Sequence, residues 1–225
     1  MMHQQISRKI IIYLFLFIIL ASVNNFKYIN SKLFKIDLID ISGLNQVENK
    51  NLYEIIKDYK NKNIFFLDNL EISKKINSND LVEKFWVFKE YPSTININLI
   101  KTNFLGVTKI NNIDYFIASN GKFVKKKEDQ LINRPFIFGS INVNDFLILK
   151  EILDKSNFEV SKIDSYYYFK SKRWDIKYKN GSIIRLPSKI NVNLLNKVSK
   201  IIEDKDFENI KILDFRQSNQ IITHE

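Results

Sequence analysis

The side chains that most often carry out catalysis are sparse in this sequence and form no recognisable site. The two histidines, His3 and His224, have no cysteine, second histidine or Asp-x-His pattern at metal-binding spacing. The absence of cysteine excludes thiol chemistry and a disulfide scaffold. The five glycines are scattered, so the sequence contains no phosphate-binding loop.

Two weaker catalytic patterns also lack their context. Ser182 follows Gly181, but the flanking residues lack the G-x-S-x-G pattern of a nucleophile elbow. The adjacent acids Glu128 and Asp129 lie in a charged, loop-like stretch, where paired carboxylates are typical of solvated surface. We therefore expect no enzymatic activity, no metal, no cofactor and no small-molecule substrate.

The chain is strongly basic, with a net charge of +10 over 225 residues. This charge favours an anionic partner, such as lipid headgroups or nucleic acid. The basic residues are spread along a chain rich in Ile, Asn, Lys and Phe, however, which is typical of compositional drift; the only tight cluster is Lys125-Lys126-Lys127. We expect no nucleic-acid role, but a weak attraction to an anionic membrane surface of about 1 kcal/mol per nearby cation.

The longest apolar run extends from Ile10 to Leu20, directly after Arg8-Lys9. A helix from Ile10 to Val23 rises about 21 Å, which is short of the ~30 Å hydrocarbon core of a bilayer. Extending it to Ile29 reaches about 30 Å and takes in Lys27, which can snorkel at the edge. A retained transmembrane anchor over residues 10–29 is favoured, since the residues after the run offer a poor cleavage site.

A cleaved signal peptide and a buried soluble helix are the alternatives to that anchor. With the anchor retained, Arg8 and Lys9 keep residues 1–9 in the cytoplasm by the positive-inside rule. The chain from about Lys32 onward is then exported. With 45% hydrophobic residues, it can form one or two compact domains.

The first exported region has the pattern of a small α+β unit. A β-rich segment, 34–41, precedes an amphipathic helix with a stripe from Val47 to Tyr59 and a second helix capped by Asp68 or Asn69. Strands follow from Val82 to Tyr91 and, after a break at Pro92, over the strictly alternating stretch 94–99. The element order is β-α-α-β-β, with both helices on one face.

These residues resemble a known domain. The stretches Ile41-Ser42-Gly43-Leu44, 63–68 and 87–97, with Tyr91-Pro92-Ser93-Thr94 between alternating strands, are similar to a POTRA domain of the bacterial cell-division family FtsQ, called DivIB in Gram-positive organisms. Two positions depart from the family pattern. Lys89 stands where the family usually has arginine, and Lys101 stands where an acidic residue commonly ends the last strand, which changes the local surface charge.

The resemblance continues through the second half of the chain. The segment 114–123, with a hairpin turn at Asn120-Gly121, resembles the opening of the family's β domain. Further expected elements are a strand at 136–138, a helix capped by Asn144, a hairpin around Asn180-Gly181, a helix carrying residues 194–202, and strands at 210–216 and 220–222.

The expected fold class is therefore α+β. It comprises a single N-terminal transmembrane helix (10–29), a POTRA domain (34–101) of order β-α-α-β-β, and a β-rich FtsQ-type β domain (102–225) with two helices and a mostly antiparallel extended sheet. The resemblance implies a non-enzymatic, single-pass type II scaffold of the divisome in the bacterial inner membrane. Such a protein recruits septation proteins resembling FtsB and FtsL on the periplasmic side, at the division septum, and its POTRA domain is a further candidate site for other division proteins.

The resemblance also implies where partners bind. A late strand with an open edge can accept a partner strand by β-addition. Phe215, Gln217, Asn219 and Ile221 share one alternating set there, and Arg216 and Ile212 share the other. The family often has an aromatic residue after the arginine, whereas this chain has Gln217. Phe215 and Ile212 have core packing as their alternative role.

Other aromatic residues, and the function itself, have more than one interpretation. Tyr166-Tyr167-Tyr168 could form a surface platform, although at least one ring must face inward, and Phe85-Trp86 is expected in the core. Two alternative functions are a POTRA-containing component of protein translocation or secretion and a secreted module that binds the cell wall.

Overall fold

The computed structural model describes residues 8–23, 34–127, 133–204, 210–217 and 220–224. The chain divides into two compact units, Met1–Lys101 and Thr102–Glu225. Each unit has its own cluster of buried apolar side chains. His3, Glu128 and Asp129 lie outside the described residues.

Helix α1, Arg8–Val23, contains the apolar run. Its apolar side chains from Ile10 to Leu20 are all exposed, between 42% and 70%. Within the described ranges, no helix is both long enough and apolar enough to span a membrane. Residues 24–29 of the expected anchor, and residues 1–7 of the expected tail, lie outside those ranges.

The first unit contains the expected β-α-α-β-β order. Its elements are strand β1 (Leu38–Ser42), helix α2 (Gln46–Ile56), helix α3 (Asn69–Asn77), strand β2 (Val82–Glu90) and strand β3 (Thr94–Lys101). The sheet order is β1-β3-β2, in which β3 is parallel to β1 and antiparallel to β2. This parallel pair is possible because a long connection, made of α2, α3 and β2, separates its two strands in sequence.

Both helices of the first unit begin at a side-chain cap. The Asn45 side chain accepts a hydrogen bond from the Glu48 N–H in a capping box, and Asp68 caps α3 by accepting from Leu70 N–H. The predicted stripe of α2 was wrong at its first member, since Val47 is 68% exposed; Leu70 of α3 is likewise 73% exposed. Both residues lie in the first turn of a helix, and neither lies on the face that packs on the sheet.

Strand β2 corrects the expectation that Phe85 and Trp86 both lie in the core. Phe85 packs against the core cluster, whereas Trp86 is 47% exposed. Neighbouring side chains of a strand point to opposite faces, so only one member of the pair can lie under the helices.

The second unit contains a nine-stranded sheet. Its strands are β4 (Phe104–Ile110), β5 (Ile113–Ala118), β6 (Phe123–Lys125), β7 (Phe136–Phe138), β8 (Ile163–Tyr168), β9 (Trp174–Tyr178), β10 (Ile183–Arg185), β11 (Ile212–Asp214) and β12 (Ile222–His224). They lie in the order β12-β11-β10-β9-β8-β7-β4-β5-β6. Five of the eight pairings are antiparallel, which confirms the expected sheet type.

Two helices, α4 (Val143–Asp154) and α5 (Val192–Ile202), complete the second unit. Phe146 of α4 and Leu195 of α5 share one core with Ile176, Ile184 and Leu213 of the sheet. The helices therefore cover the sheet face on which these three strand residues lie.

The turns and caps of the second unit follow from asparagine and glycine. Gly121 and Gly181 have φ angles of +80° and +92°, as the expected hairpin turns require. The expected cap of α4 was wrong by two positions: Asn142, not Asn144, accepts the capping hydrogen bonds. Both residues are asparagines, and the sequence alone does not distinguish them.

The three consecutive tyrosines divide between the two faces of β8. Tyr166 is buried and Tyr168 packs against the core, which confirms that at least one ring faces inward. Tyr167 lies on the opposite face and stacks on Phe138, with ring centroids 4.9 Å apart.

Candidate partner-binding site

Strand β12 forms one edge of the large sheet, and no described strand pairs with its outer side. The Phe215 N–H donates to the Arg185 carbonyl of β10 at 2.9 Å. Because backbone polar groups alternate sides along a strand, Asp214 turns its N–H and C=O toward β12, opposite Ile222. By the same alternation, the N–H and C=O of Thr223 face away from β11. The open edge therefore presents a main-chain donor and acceptor at Thr223.

A row of alternating charges crosses the strands next to this edge. Asp175, Arg185 and Asp214 are cross-strand neighbours on β9, β10 and β11, on the face opposite the helices. Arg185 Nη1 lies 3.7 Å from Asp214 Oδ2, and Arg185 Nε lies 3.9 Å from Asp175 Oδ2. Opposite charges directly across strands stabilise a sheet and fix its register.

Asp214 holds the guanidinium of Arg216 beside the sheet edge. Arg216 Nε lies 2.8 Å from each carboxylate oxygen of Asp214, and Nη2 also donates to Oδ2. The hydrogen bonds from Arg216 hold the pKa of Asp214 below its usual value, against the opposing effect of burial. Asp214 is 2% exposed, while the Arg216 side chain is 40% exposed. The buried Asp214 carboxylate thus orients the Arg216 side chain, which remains partly exposed to solvent.

Asp175 differs from Asp214 in its electrostatics. Burial raises its pKa, and the nearby guanidinium groups of Arg173 and Arg185 oppose that rise. Arg173 Nε lies 3.3 Å from Asp175 Oδ1 without hydrogen-bond geometry. Asp175 is therefore a less well-satisfied carboxylate than Asp214.

An open groove of about 710 Å³ lies between α5 and the residues around β11 and β12. Its apolar lining includes Leu194, Ile201, Phe215 and Ile221. Among the residues that the structure describes, its polar lining contains the cations Lys189, Lys197 and Arg216, the amides Asn191, Asn193, Gln217 and Gln220, and no acid. A groove with this lining suits an amphipathic segment that carries carboxylates.

The structure brings four of the five predicted site residues to this groove, which is lined by Phe215, Arg216, Gln217 and Ile221. Phe215 is only 7% exposed and belongs to the core, while Ile221 is 39% exposed. Asn219 lies outside the described residues. The alternative core role of Ile212 was wrong: it is half-buried on the sheet face opposite the helices.

Sequence reasoning missed the contribution of α5 to the groove. Leu194 and Ile201 belong to the helix predicted to carry residues 194–202, but both are only partly buried and line the groove. Lys189 and Lys197 were not predicted either. Lys197 lies three residues after Leu194 and four before Ile201, a spacing that indicates a mixed apolar and basic helix surface, whereas Lys189 precedes the helix and gives no such signal.

Within the parts of the chain that the structure describes, no group of three or more His, Cys, Asp or Glu side chains is placed to hold a metal ion. His224 lies exposed in β12.

Residues 34–100 match the family described as "POTRA domain, FtsQ-type". The cell division protein FtsQ of Rickettsia bellii is 26% identical over 194 residues, covering 83% of this chain and 71% of that protein. The cell division protein DivIB of Bacillus subtilis is 23% identical over 167 residues, covering 73% of this chain and 63% of that protein.

A solved structure, the major extracytoplasmic domain of the trans isomer of DivIB from Geobacillus stearothermophilus, matches with 12% identity and a TM-score of 0.34. The match covers 49% of this chain and 98% of that one, and this likeness is too low to bear on the fold. The relatives that these comparisons find are bacterial cell-division proteins. Residues 34–100 belong to the FtsQ-type POTRA family, and most of the chain is similar to FtsQ and DivIB proteins.

Proposed function

We propose that this chain is a membrane-anchored scaffold of the divisome that recruits septation proteins resembling FtsB and FtsL. The anchor would be the apolar segment 10–29, with residues 1–9 in the cytoplasm and residues 34–101 and 102–225 on the periplasmic side as the POTRA and FtsQ-type β domains. The continuous exposure of apolar side chains along α1 supports this assignment, because they require an apolar environment. The protein would then act at the septum.

The open edge at β12 is the single observation that carries the recruitment proposal. The outward N–H and C=O of Thr223 can pair with a partner segment in extended conformation, as in other cases of strand addition. The partner would continue the sheet beyond β12.

The adjoining groove supplies contacts that an edge alone does not. Leu194, Ile201 and Ile221 offer apolar surface, and Lys189, Lys197 and Arg216 offer positive charge. We infer that the partner segment carries apolar residues and carboxylates. Asp214 positions the Arg216 guanidinium for a carboxylate of the partner.

The experiment is co-purification of the full chain from membranes, with identification of the small coiled-coil proteins it retains. Thr223→Pro removes the outward N–H but leaves the pairing of Ile222 and His224 with β11 intact, because proline is tolerated on the open side of an edge strand. Thr223→Val keeps the N–H and a similar shape, and so serves as the control. We expect the proline variant to lose the partners and the valine variant to retain them.

Two results would contradict the proposal. Retention of the partners by Thr223→Pro would exclude strand addition at this edge. Recovery of no division protein by the folded wild-type chain would exclude the scaffold role itself.

A further inference from the structure

Aromatic rings gather at one end of the POTRA domain and leave much of their surface exposed. Phe65 stacks on Tyr91 with ring centroids 5.0 Å apart and meets the ring of Phe34 at 5.1 Å. Phe65 and Tyr91 are 54% and 56% exposed, and Phe66 and Leu70 are 70% and 73% exposed. We call these five residues the aromatic end.

The core does not need these side chains. Ile64 and Leu67 flank the two phenylalanines in sequence and fill the buried positions, at 0% and 7% exposure. Phe65 and Phe66 therefore project outward from a segment whose core contacts are already supplied. Adjacent exposed aromatic residues on a small domain mark an interaction surface.

The aromatic end is also where the chain enters the domain. The Ile36 N–H donates to Lys62 O at 2.9 Å, and the Asp37 N–H donates to Ser93 O at 2.9 Å. The entering segment is thus held against the two loops that carry Phe65 and Tyr91. Strands β1 and β3 both run away from this end, because they are parallel and begin beside it.

The short stretch of chain between helix α1 and Phe34 limits the distance between α1 and the aromatic end. Ten residues separate Val23 from Phe34. Even fully extended, that stretch spans at most about 35 Å. If α1 lies in the bilayer, the aromatic end is therefore tethered within reach of the membrane surface.

Charged residues of both signs lie close to the aromatic end in the sequence: the basic residues Lys35, Lys60 and Lys62 and the acidic residues Asp37, Asp68 and Glu90. Lys89 is also nearby, since its Nζ donates to the Leu67 carbonyl at 3.2 Å. Contact with a bilayer would therefore depend on the burial of aromatic and aliphatic groups and not on net charge. Such groups favour the boundary between lipid headgroups and acyl chains.

We propose that the aromatic end docks on the outer leaflet of the membrane, with Phe65, Phe66, Leu70 and Tyr91 inserted at the headgroup–acyl boundary. This inference rests on the proposed membrane anchor. It adds a second contact with the membrane, besides the anchor, and this contact fixes the orientation of the POTRA domain relative to the bilayer.

The absence of cysteine allows a direct test with single-cysteine variants of the full chain. Asn69→Cys and Gln46→Cys form a matched pair, since each replaces an exposed amide side chain at the first residue of a helix. Asn69 lies at the aromatic end, whereas Gln46 lies beyond Ser42, at the far end of β1. Leu14→Cys reports on α1. Each variant carries a fluorophore and is reconstituted in phosphatidylcholine–phosphatidylglycerol vesicles containing nitroxide-labelled lipid.

We expect the nitroxide lipid to quench the Leu14 and Asn69 labels several-fold more strongly than the Gln46 label. Quenching at Leu14 with equal, weak quenching at Asn69 and Gln46 would overturn the docking inference and leave the anchor intact. A blue-shifted but unquenched Asn69 label would show that protein, not lipid, covers the aromatic end. A Leu14 label inaccessible to lipid would overturn the anchor and the docking together.

A second set of variants tests whether the exposed apolar groups make the contact. Phe66→Ser with Leu70→Ser removes two side chains that are mostly exposed, so the fold should be retained. We expect most of the quenching at the Asn69 label to be lost and that at Leu14 to remain. The matched control is Val47→Ser, which removes an equally exposed apolar residue at the opposite end. Unchanged quenching in the double variant would overturn the inference.

Discussion

Lys101 Nζ lies 2.5 Å and 2.8 Å from the two carboxylate oxygens of Glu48. The same carboxylate accepts a hydrogen bond from the Asn45 N–H at 3.3 Å, as part of the capping box of α2. A lysine at the end of β3, where the family commonly has an acid, therefore does not simply add charge to the surface. It joins the end of the sheet to the beginning of the helix.

We expect the cap to contribute more to stability than this ion pair does. Asn45→Ala should destabilise α2 by about 1 kcal/mol, because an orphan N–H loses its acceptor. Lys101→Met should cost less than that, since the lysine side chain is 40% exposed and water screens the pair. Amide hydrogen exchange in α2 measures both effects, and an equal or larger loss in Lys101→Met would contradict this ranking.

Gly43 should be among the least replaceable residues of the POTRA domain. Its φ angle is +107°, and a Cβ atom there would lie 1.9 Å from the Leu99 carbonyl oxygen. Gly181 has a φ angle of +92° but no atom within 4 Å of such a Cβ. Gly181→Ala should therefore cost only the backbone penalty of about 1–2 kcal/mol, and Gly43→Ala clearly more. Urea unfolding of each unit measures the difference, and equal costs would show that Leu99 moves aside freely.

Asp214 should make the stability of the second unit depend on pH. Its pKa is lowered in the folded state, so its contribution is present above the unfolded value of about 3.9 and is lost as the pH falls through the folded value. We expect Asp214→Asn to destabilise the unit by about 1–3 kcal/mol at neutral pH, because Arg185 and Arg216 lose a charged acceptor. The difference from wild type should shrink below about pH 4.

The measurement is urea unfolding followed by Trp174 fluorescence in a Trp86→Phe background, which leaves one tryptophan, in the second unit. Asp175, whose pKa is raised, contributes to stability with the opposite pH dependence. Because Asp175 is present in both proteins, its contribution does not account for the difference between them. A difference that stays constant from neutral to acidic pH would exclude ionised Asp214 as the cause.

Ile221 should contribute to partner binding without stabilising the fold. Ile221 and Ile113 are both 39% exposed, but only Ile221 lines the groove. We expect Ile221→Ser to weaken partner binding by about 1–2 kcal/mol through loss of apolar contact, and Ile113→Ser to leave it unchanged. Titration with a purified partner measures both affinities, and an equal effect in the two variants would exclude a specific role for the groove.

The fold of the POTRA domain was largely predictable because its signals are local. Strict alternation from Thr94 to Leu99 determines a strand and its buried face, and Asp68 occurs directly before a helical pattern. The exposure of Trp86 follows from the same alternation, but sequence order alone does not say which residue of a Phe-Trp pair faces the helices.

The candidate site was less predictable because it depends on register. The row of Asp175, Arg185 and Asp214 exists only when three separate strands align at one position. The strand at 104–110 was not anticipated, and its parallel pairing with β7 is not encoded by any turn. The groove likewise needs Leu194 of α5 beside Ile221, which are distant in sequence.

The brevity of β12 has a consequence for how specificity is divided at this surface. Among the residues that the structure describes, β12 comprises Ile222–His224, and three residues offer too few main-chain groups to hold another chain by themselves. An identical copy that presented only its own short edge would gain little, so the edge is protected against self-association. The sheet edge can then determine the direction in which a partner segment lies, while the groove beside it determines which partner binds.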